Sequence, residues 1–171
     1  MNQGIHSVDL LQWCMGEVDS VSAFTASRSH TDIEVEDTAV AALRFRNGAL
    51  GVIEASTAVN PGFYRKIEIL GTKGSAVIEE ECIRTWKFET EEEEDKRIRE
   101  NFSGEHASGG GVSDPKAISD EGHIRQIKDF IEALDNHRQP AIDGLEARKA
   151  VEIVIAVYKS AGSGKTVRIS G

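Results

Sequence analysis

With 171 residues, 39% hydrophobic and 29% charged, the chain has the size and composition of one ordinary globular domain with its own core, so residues 1–171 are expected to form a single domain. The formal charge of -9 excludes a nucleic-acid surface, which needs clustered Lys and Arg to neutralise phosphates. No apolar run approaches the ~20 residues of a membrane-spanning helix, and Asn-Gln-Gly-Ile-His after Met1 has neither region of a signal peptide.

The first pattern is helical and runs from about Gln3 to Met15, stopping at Gly16. Ile5, Val8, Leu11 and Met15 repeat at helical period and form an apolar face. Asn2, His6 and Asp9 fall at i, i+4 and i+7, which is a second face carrying an amide, an imidazole and a carboxylate. Such a helix can supply one wall of a pocket. The imidazole of His6 suits a proton acceptor, whereas Asn2 can only exchange hydrogen bonds. On spacing alone, a packing role for His6 remains the commoner alternative. His30, His106, His123 and His137 sit in expected loops or on an exposed helix surface and share no metal-ligand spacing.

Strands follow. Val18 to Arg28, Thr38 to Arg46 and Ala49 to Thr57 read as extended, with Asn47-Gly48 between the last two as a hairpin turn in which both residues take positive φ. Phe63 to Leu70 and Ser75 to Glu80 make a second hairpin across Gly71-Thr72-Lys73-Gly74, and Ile83 to Phe88 a further strand. The sum is an antiparallel meander of about five or six strands. Ala39 to Leu43 is apolar on both faces, which predicts self-association through the open sheet face.

Glu89 to Asp95 is a nearly unbroken acidic run, read as a solvated connector or short helix in which Glu92 faces Lys96 and Glu93 faces Arg97. Gly104 to Pro115, with Gly109-Gly110-Gly111, reads as loop. A helix from Ser119, capped by Ser119 or Asp120, carries Ile124, Ile127, Phe130, Ile131 and Leu134 at helical period. A second helix spans about Gly144 to Ser160, and Thr166 to Ile169 closes the chain as a short strand. Gly164-Lys165-Thr166 imitates the end of a phosphate loop, but Lys159 occupies the first-glycine position and the order is helix-to-strand. Cys14 and Cys82 read as reduced core thiols of a cytoplasmic protein. The expected class is α+β: an open, mostly antiparallel sheet of about six strands with helices on one face and no Rossmann domain.

Asn2-Gln-Gly-Ile-His-Ser-Val-Asp-Leu-Leu resembles the Asp/Asn-x-Gly-x-His-x-x-Asp-Leu-Leu segment of the glucose–fructose oxidoreductase/inositol dehydrogenase/MocA (Gfo/Idh/MocA) family. The likeness continues through Glu36-Asp37-Thr38-Ala39, Asn47-Gly48-Ala49, Ile69-Leu70-Gly71-Thr72-Lys73-Gly74-Ser75, Asp129-Phe130-Ile131-Glu132-Ala133 and the closing Ala156-Val157-Tyr158-Lys159-Ser160-Ala161 with Gly164-Lys165. The resemblance implies the C-terminal, substrate-binding and oligomerising domain of a two-domain NAD(P)-dependent oxidoreductase. Its substrate would be a secondary alcohol of a sugar, polyol or related compound. His6 falls at the family's catalytic histidine. Asn2 stands where many members have aspartate, which leaves it substrate or histidine hydrogen bonding, and Asp9 matches an acid that can face substrate. No Gly-x-Gly-x-x-Gly after a strand and no Glu-Lys-Pro occurs, so NAD or NADP is expected on a domain this chain lacks, with no cofactor bound here, no metal, and no turnover by the chain alone. The rival reading is a ligand-binding or assembly module with no redox role.

Overall fold

The computed structural model of the protein describes residues 3–30, 32–80, 82–104 and 120–170. These form two compact units, one from Met1–Asn60 with His123–Gly171 and the other from Pro61–Gly122.

The first unit begins with helix α1 (Gly4–Met15), followed by strands β1 (Val18–Ala26), β2 (Thr38–Phe45) and β3 (Leu50–Ser56). Helix α3 (Glu121–Asp135), of which all but the first two residues belong here, helix α4 (Gly144–Ser163) and strand β7 (Val167–Arg168) complete it. The four strands form an antiparallel sheet in the order β3-β2-β1-β7. Along β2 the alternation expected of a half-buried strand is complete: Ala39, Ala41, Leu43 and Phe45 are buried, and Val40, Ala42 and Arg44 are exposed. In β1 a register shift between Val18 and Ser20 puts Val18 and Val21 both into the core, where strict alternation would separate them.

α4 covers β1, and α1 packs on α4. Val8 of α1 joins Val21, Leu43, Phe45, Ile153, Ala156 and Val157 in one core cluster, with Leu11 and Met15 packed against it. Asp143 caps α4 by accepting the N–H groups of Leu145 and Glu146, and Gly164 ends it in the left-handed region at φ 65°. Ser160, fully buried, bolts helix to sheet. Its Oγ accepts the Ala23 N–H at 2.9 Å and donates to the Lys165 carbonyl at 2.7 Å.

The Asn47-Gly48 hairpin forms at the expected place with a different turn. Only Gly48 has positive φ (89°), and its N–H bonds to the Phe45 carbonyl, so a four-residue turn followed by a glycine in the left-handed region replaces a turn with two such residues. Asn47 is used otherwise: its Oδ1 accepts the Ala49 N–H, and its Nδ2 donates to the Met15 carbonyl at the end of α1.

The second unit holds β4 (Lys66–Gly71), β5 (Gly74–Glu79) and β6 (Cys82–Phe88) as a three-stranded antiparallel sheet, followed by helix α2 (Glu93–Phe102). A Cβ on Gly74 would stand 2.2 Å from Phe88 Cδ1, so glycine is required there. Glu92 and Asp95 form a reciprocal capping box, and Asp95 also accepts the Trp86 indole N–H at 2.7 Å. The acidic run is thus a helix start. Its ion pairs are Glu93–Lys96 and Glu94–Arg97 at i,i+3, not the expected i,i+4 pairs.

The α+β class and the open antiparallel arrangement agree with the sequence. The strands nevertheless divide between two sheets instead of forming one meander, because Pro61 and its neighbours interrupt the ladder between β3 and β4, and β7 pairs with β1. One further expectation fails. Cys82 is buried but Cys14 is exposed, lying off the Ile5–Val8–Met15 stripe of α1. The apolar stripe of α3 is also exposed: Ile124, Ile127, Phe130, Ile131 and Leu134 are open to solvent, and only Ala133 is buried. Ser119 as a cap, His106 and the glycine run lie outside the described residues. Among the described residues no helix is long and apolar enough to cross a membrane.

Candidate functional site

α1 is anchored along one face and open along another. Val8 and Gln12 are its buried residues, and the buried side turns toward α4. His6 is exposed and Asp9 half-buried, so both remain available to a small molecule while the backbone beneath them is held by the core. Their separation of three residues places them on neighbouring turns of one face, about 4.5 Å apart along the axis. Asn2, the third member of the expected face, lies outside the described residues.

Gln12 meets Glu146 at 3.4 Å across the helix pair. Gln12 is in the last turn of α1 and Glu146 in the first turn of α4, while Val8, one turn earlier in α1, shares a core cluster with Ile153, Ala156 and Val157 farther along α4, so the two helices run antiparallel. The first turn of α1, with His6, therefore lies toward the C-terminal half of α4. Tyr158 projects from that half, and its hydroxyl donates to Glu36 Oε1 at 2.8 Å. Burial, the hydrogen bond to Glu36 and the Glu36 charge push the Tyr158 phenol up to about 12, so it stays a proton donor across the physiological range.

Glu36 closes the connection between β1 and β2, and the next residue holds that connection in shape. Asp37 is buried, and its Oδ2 accepts the N–H groups of Arg28 and Ser29, both at 2.6 Å, and of His30 at 3.1 Å. The Thr38 hydroxyl donates to Oδ1 at 3.1 Å. The Ser29 N–H contributes most, and despite burial these donors together lower the Asp37 carboxyl to about 2. His30 is exposed with a ring nitrogen 3.3 Å from the Thr57 carbonyl, a loop tie and not a ligand position. His123 is exposed on α3, and His137 occupies the turn after it at φ 51°. Among the described residues no group of three His, Cys, Asp or Glu converges in a way that could hold a metal ion.

Among the described residues no glycine-rich turn of the kind that cradles a dinucleotide phosphate leads into a helix. The glycines with positive φ are Gly16, Gly48 and Gly164, at helix ends and a hairpin, and none opens a helix toward a phosphate. The N-terminus of α4 is already occupied by the Asp143 carboxylate. Glu36 and Tyr158, 122 residues apart, carried no spacing signal that could have marked them together.

Residues 1–77 match the model of the GFO/IDH/MocA C-terminal domain. The WlbA dehydrogenase of Bordetella pertussis, solved with NADH and UDP-GlcNAcA, is 34% identical and superposes with a TM-score of 0.82 over 100% of this chain and 47% of that one. Over residues 1–77 this chain is similar to the C-terminal domains of the GFO/IDH/MocA family. The WlbA dehydrogenase of Chromobacterium violaceum, solved with the same two ligands, is 32% identical with a TM-score of 0.78, over 99% of this chain and 45% of that one. Myo-inositol 2-dehydrogenase of Thermotoga maritima is 26% identical over 99% of this chain and 48% of its own length. The chain thus spans about half the length of the relatives it matches. The superposition covers the whole chain, so the resemblance seen in the sequence motifs is one of fold as well.

Proposed function

We propose that this chain is the substrate-binding and oligomerising domain, residues 1–171, of a GFO/IDH/MocA oxidoreductase that interconverts a secondary alcohol of a sugar-like compound and its ketone. The observation that carries the reading is the placement of His6: exposed in the first turn of a helix whose opposite face is locked into the core, and at the family's histidine position. NAD or NADP, held outside this chain, would supply the hydride acceptor. His6 takes the hydroxyl proton on a ring nitrogen as the carbinol hydrogen leaves as hydride, and the C–O bond becomes a carbonyl. Asp9 and Asn2 orient the substrate hydroxyls. Identities of 34% and 32% to dehydrogenases crystallised with UDP-GlcNAcA favour a sugar acid or its nucleotide conjugate over a free polyol. The setting that goes with this reading is the cytoplasm, where a freely exchanging NAD(P) pool is available.

In the intact protein, His6→Gln is expected to lower kcat for UDP-GlcNAcA oxidation roughly 10²- to 10⁴-fold while NAD binding is retained. Activity within a few-fold of the parent would exclude His6 as the base. The chain of 171 residues by itself is expected to bind no NAD and to turn nothing over.

The outer face of the four-stranded sheet supports self-association. Phe24, Val40, Ala42, Val52 and Leu50 share it by strand pairing, and Phe24, Leu50 and Val52 are each at least 70% exposed. Sedimentation is expected to report a dimer or larger species at tens of micromolar, and a monomer at that concentration would remove this assignment. The same face also suits the rival reading of a non-catalytic assembly module. The reading frame upstream separates the two: a glycine-rich βαβ unit with Glu-Lys-Pro belongs to the enzyme only.

A further inference from the structure

A hydrogen bond spans 122 residues between the β1–β2 connection and α4. The connection is otherwise tied to its own sheet: Asp37 gathers the amides of Arg28, Ser29 and His30, the Asp37 N–H bonds to the Ala26 carbonyl, and the Ser27 hydroxyl donates to the Val35 carbonyl. These bonds fix its internal shape. The Tyr158–Glu36 bond relates that shape to the helix pair, at the end where α1 begins. Ile33 and Val35 on the connection are each more than half exposed, so the segment presents apolar surface there.

We propose that Glu36 and Tyr158 are a positioning pair: their hydrogen bond fastens the β1–β2 connection to α4 at the His6 end of the helix pair, and so shapes the part of the site that receives the substrate. The role in substrate binding rests on the function proposed above; the fastening itself does not. Neither residue is assigned a chemical step.

Tyr158→Phe removes one hydroxyl and keeps the ring, and Glu36→Gln keeps an amide oxygen that can accept the same bond. In the intact protein, Tyr158→Phe is expected to raise amide exchange across 32–36 and to raise KM for UDP-GlcNAcA roughly three- to tenfold, the range for one partly exposed hydrogen bond, with kcat within about twofold. Glu36→Gln is expected to restore most of the protection and of the KM. Exchange that rises without a change in KM would make the pair structural only. A KM that rises with exchange unmoved would mean that Tyr158 touches the substrate itself. Either result overturns the positioning role. If the parent protein fails to oxidise the probe, the functional reading fails, and unchanged exchange in Tyr158→Phe then overturns the fastening independently.

Discussion

In the unit built on the four-stranded sheet, Val21, Phe45 and Val157 are at most 1% exposed and sit in one cluster under α4. In the unit built on the three-stranded sheet, Ala76 and Cys82 are the buried apolar residues among those described. Exposed charge pairs surround its strands instead: Arg84 of β6 with Glu79 of β5, Arg65 with Glu80 beside the ends of β4 and β5, Lys66 with Glu68 along β4, and Arg99 of α2 with Glu91 just before that helix. Trp86 meets Phe88 edge-on with ring centroids 5.1 Å apart and hands its N–H to Asp95. One region draws its stability from area removed from water; among the described residues the other buries little apolar area, and each of its exposed ion pairs adds little and is weakened by salt. The candidate site belongs to the first, where a rigid base under α1 holds His6 in place.

The comparison breaks most readily at Phe45. Phe45→Ala empties the centre of the first core and is expected to cost about 3–5 kcal/mol, read as a lower urea midpoint for amide protection in β1 and β2. Protection in β4 to β6 that fell equally would show that the two units unfold as one. Asp37→Asn tests the polar clamp beside the core. The folded carboxyl is depressed from 3.8 to about 2, so its contribution is complete above the unfolded value and disappears as pH falls through the folded one. The Tm deficit of Asp37→Asn is therefore expected to be largest near neutrality and to shrink between about pH 4 and pH 2. A deficit independent of pH would remove the carboxylate from the explanation. The smallest effect belongs to the charged lacing. Arg84→Ala is expected to cost roughly 0.2–1 kcal/mol, and added salt should raise exchange in β4 to β6 more than in β1 to β3. Equal salt responses would deny the difference between the units.

Much of this was legible locally. Gly16 announced a helix end, Thr38 to Arg46 read as extended, and the spacing of His6 and Asp9 announced a polar face on α1. These signals depend on φ, ψ and side-chain period, which neighbouring residues set among themselves. Where a competing partner decided the outcome, local reading went astray. Asn47 was assigned a backbone role in its turn, but its side chain is drawn to the end of α1. The α3 stripe has helical period, yet period says only that a face exists and not what covers it.

The sequence by itself determined the order and type of the elements, the family pattern around His6 and the absence of a glycine-rich dinucleotide turn, because each is written in residues close together along the chain. Only the tertiary structure decided which strands share a sheet, that Gln12 and Ser160 would be buried polar residues at helix contacts, and that Glu36 would meet Tyr158. Those facts arise from packing between segments far apart in sequence, where burial and hydrogen-bond satisfaction choose among pairings that local pattern leaves equivalent.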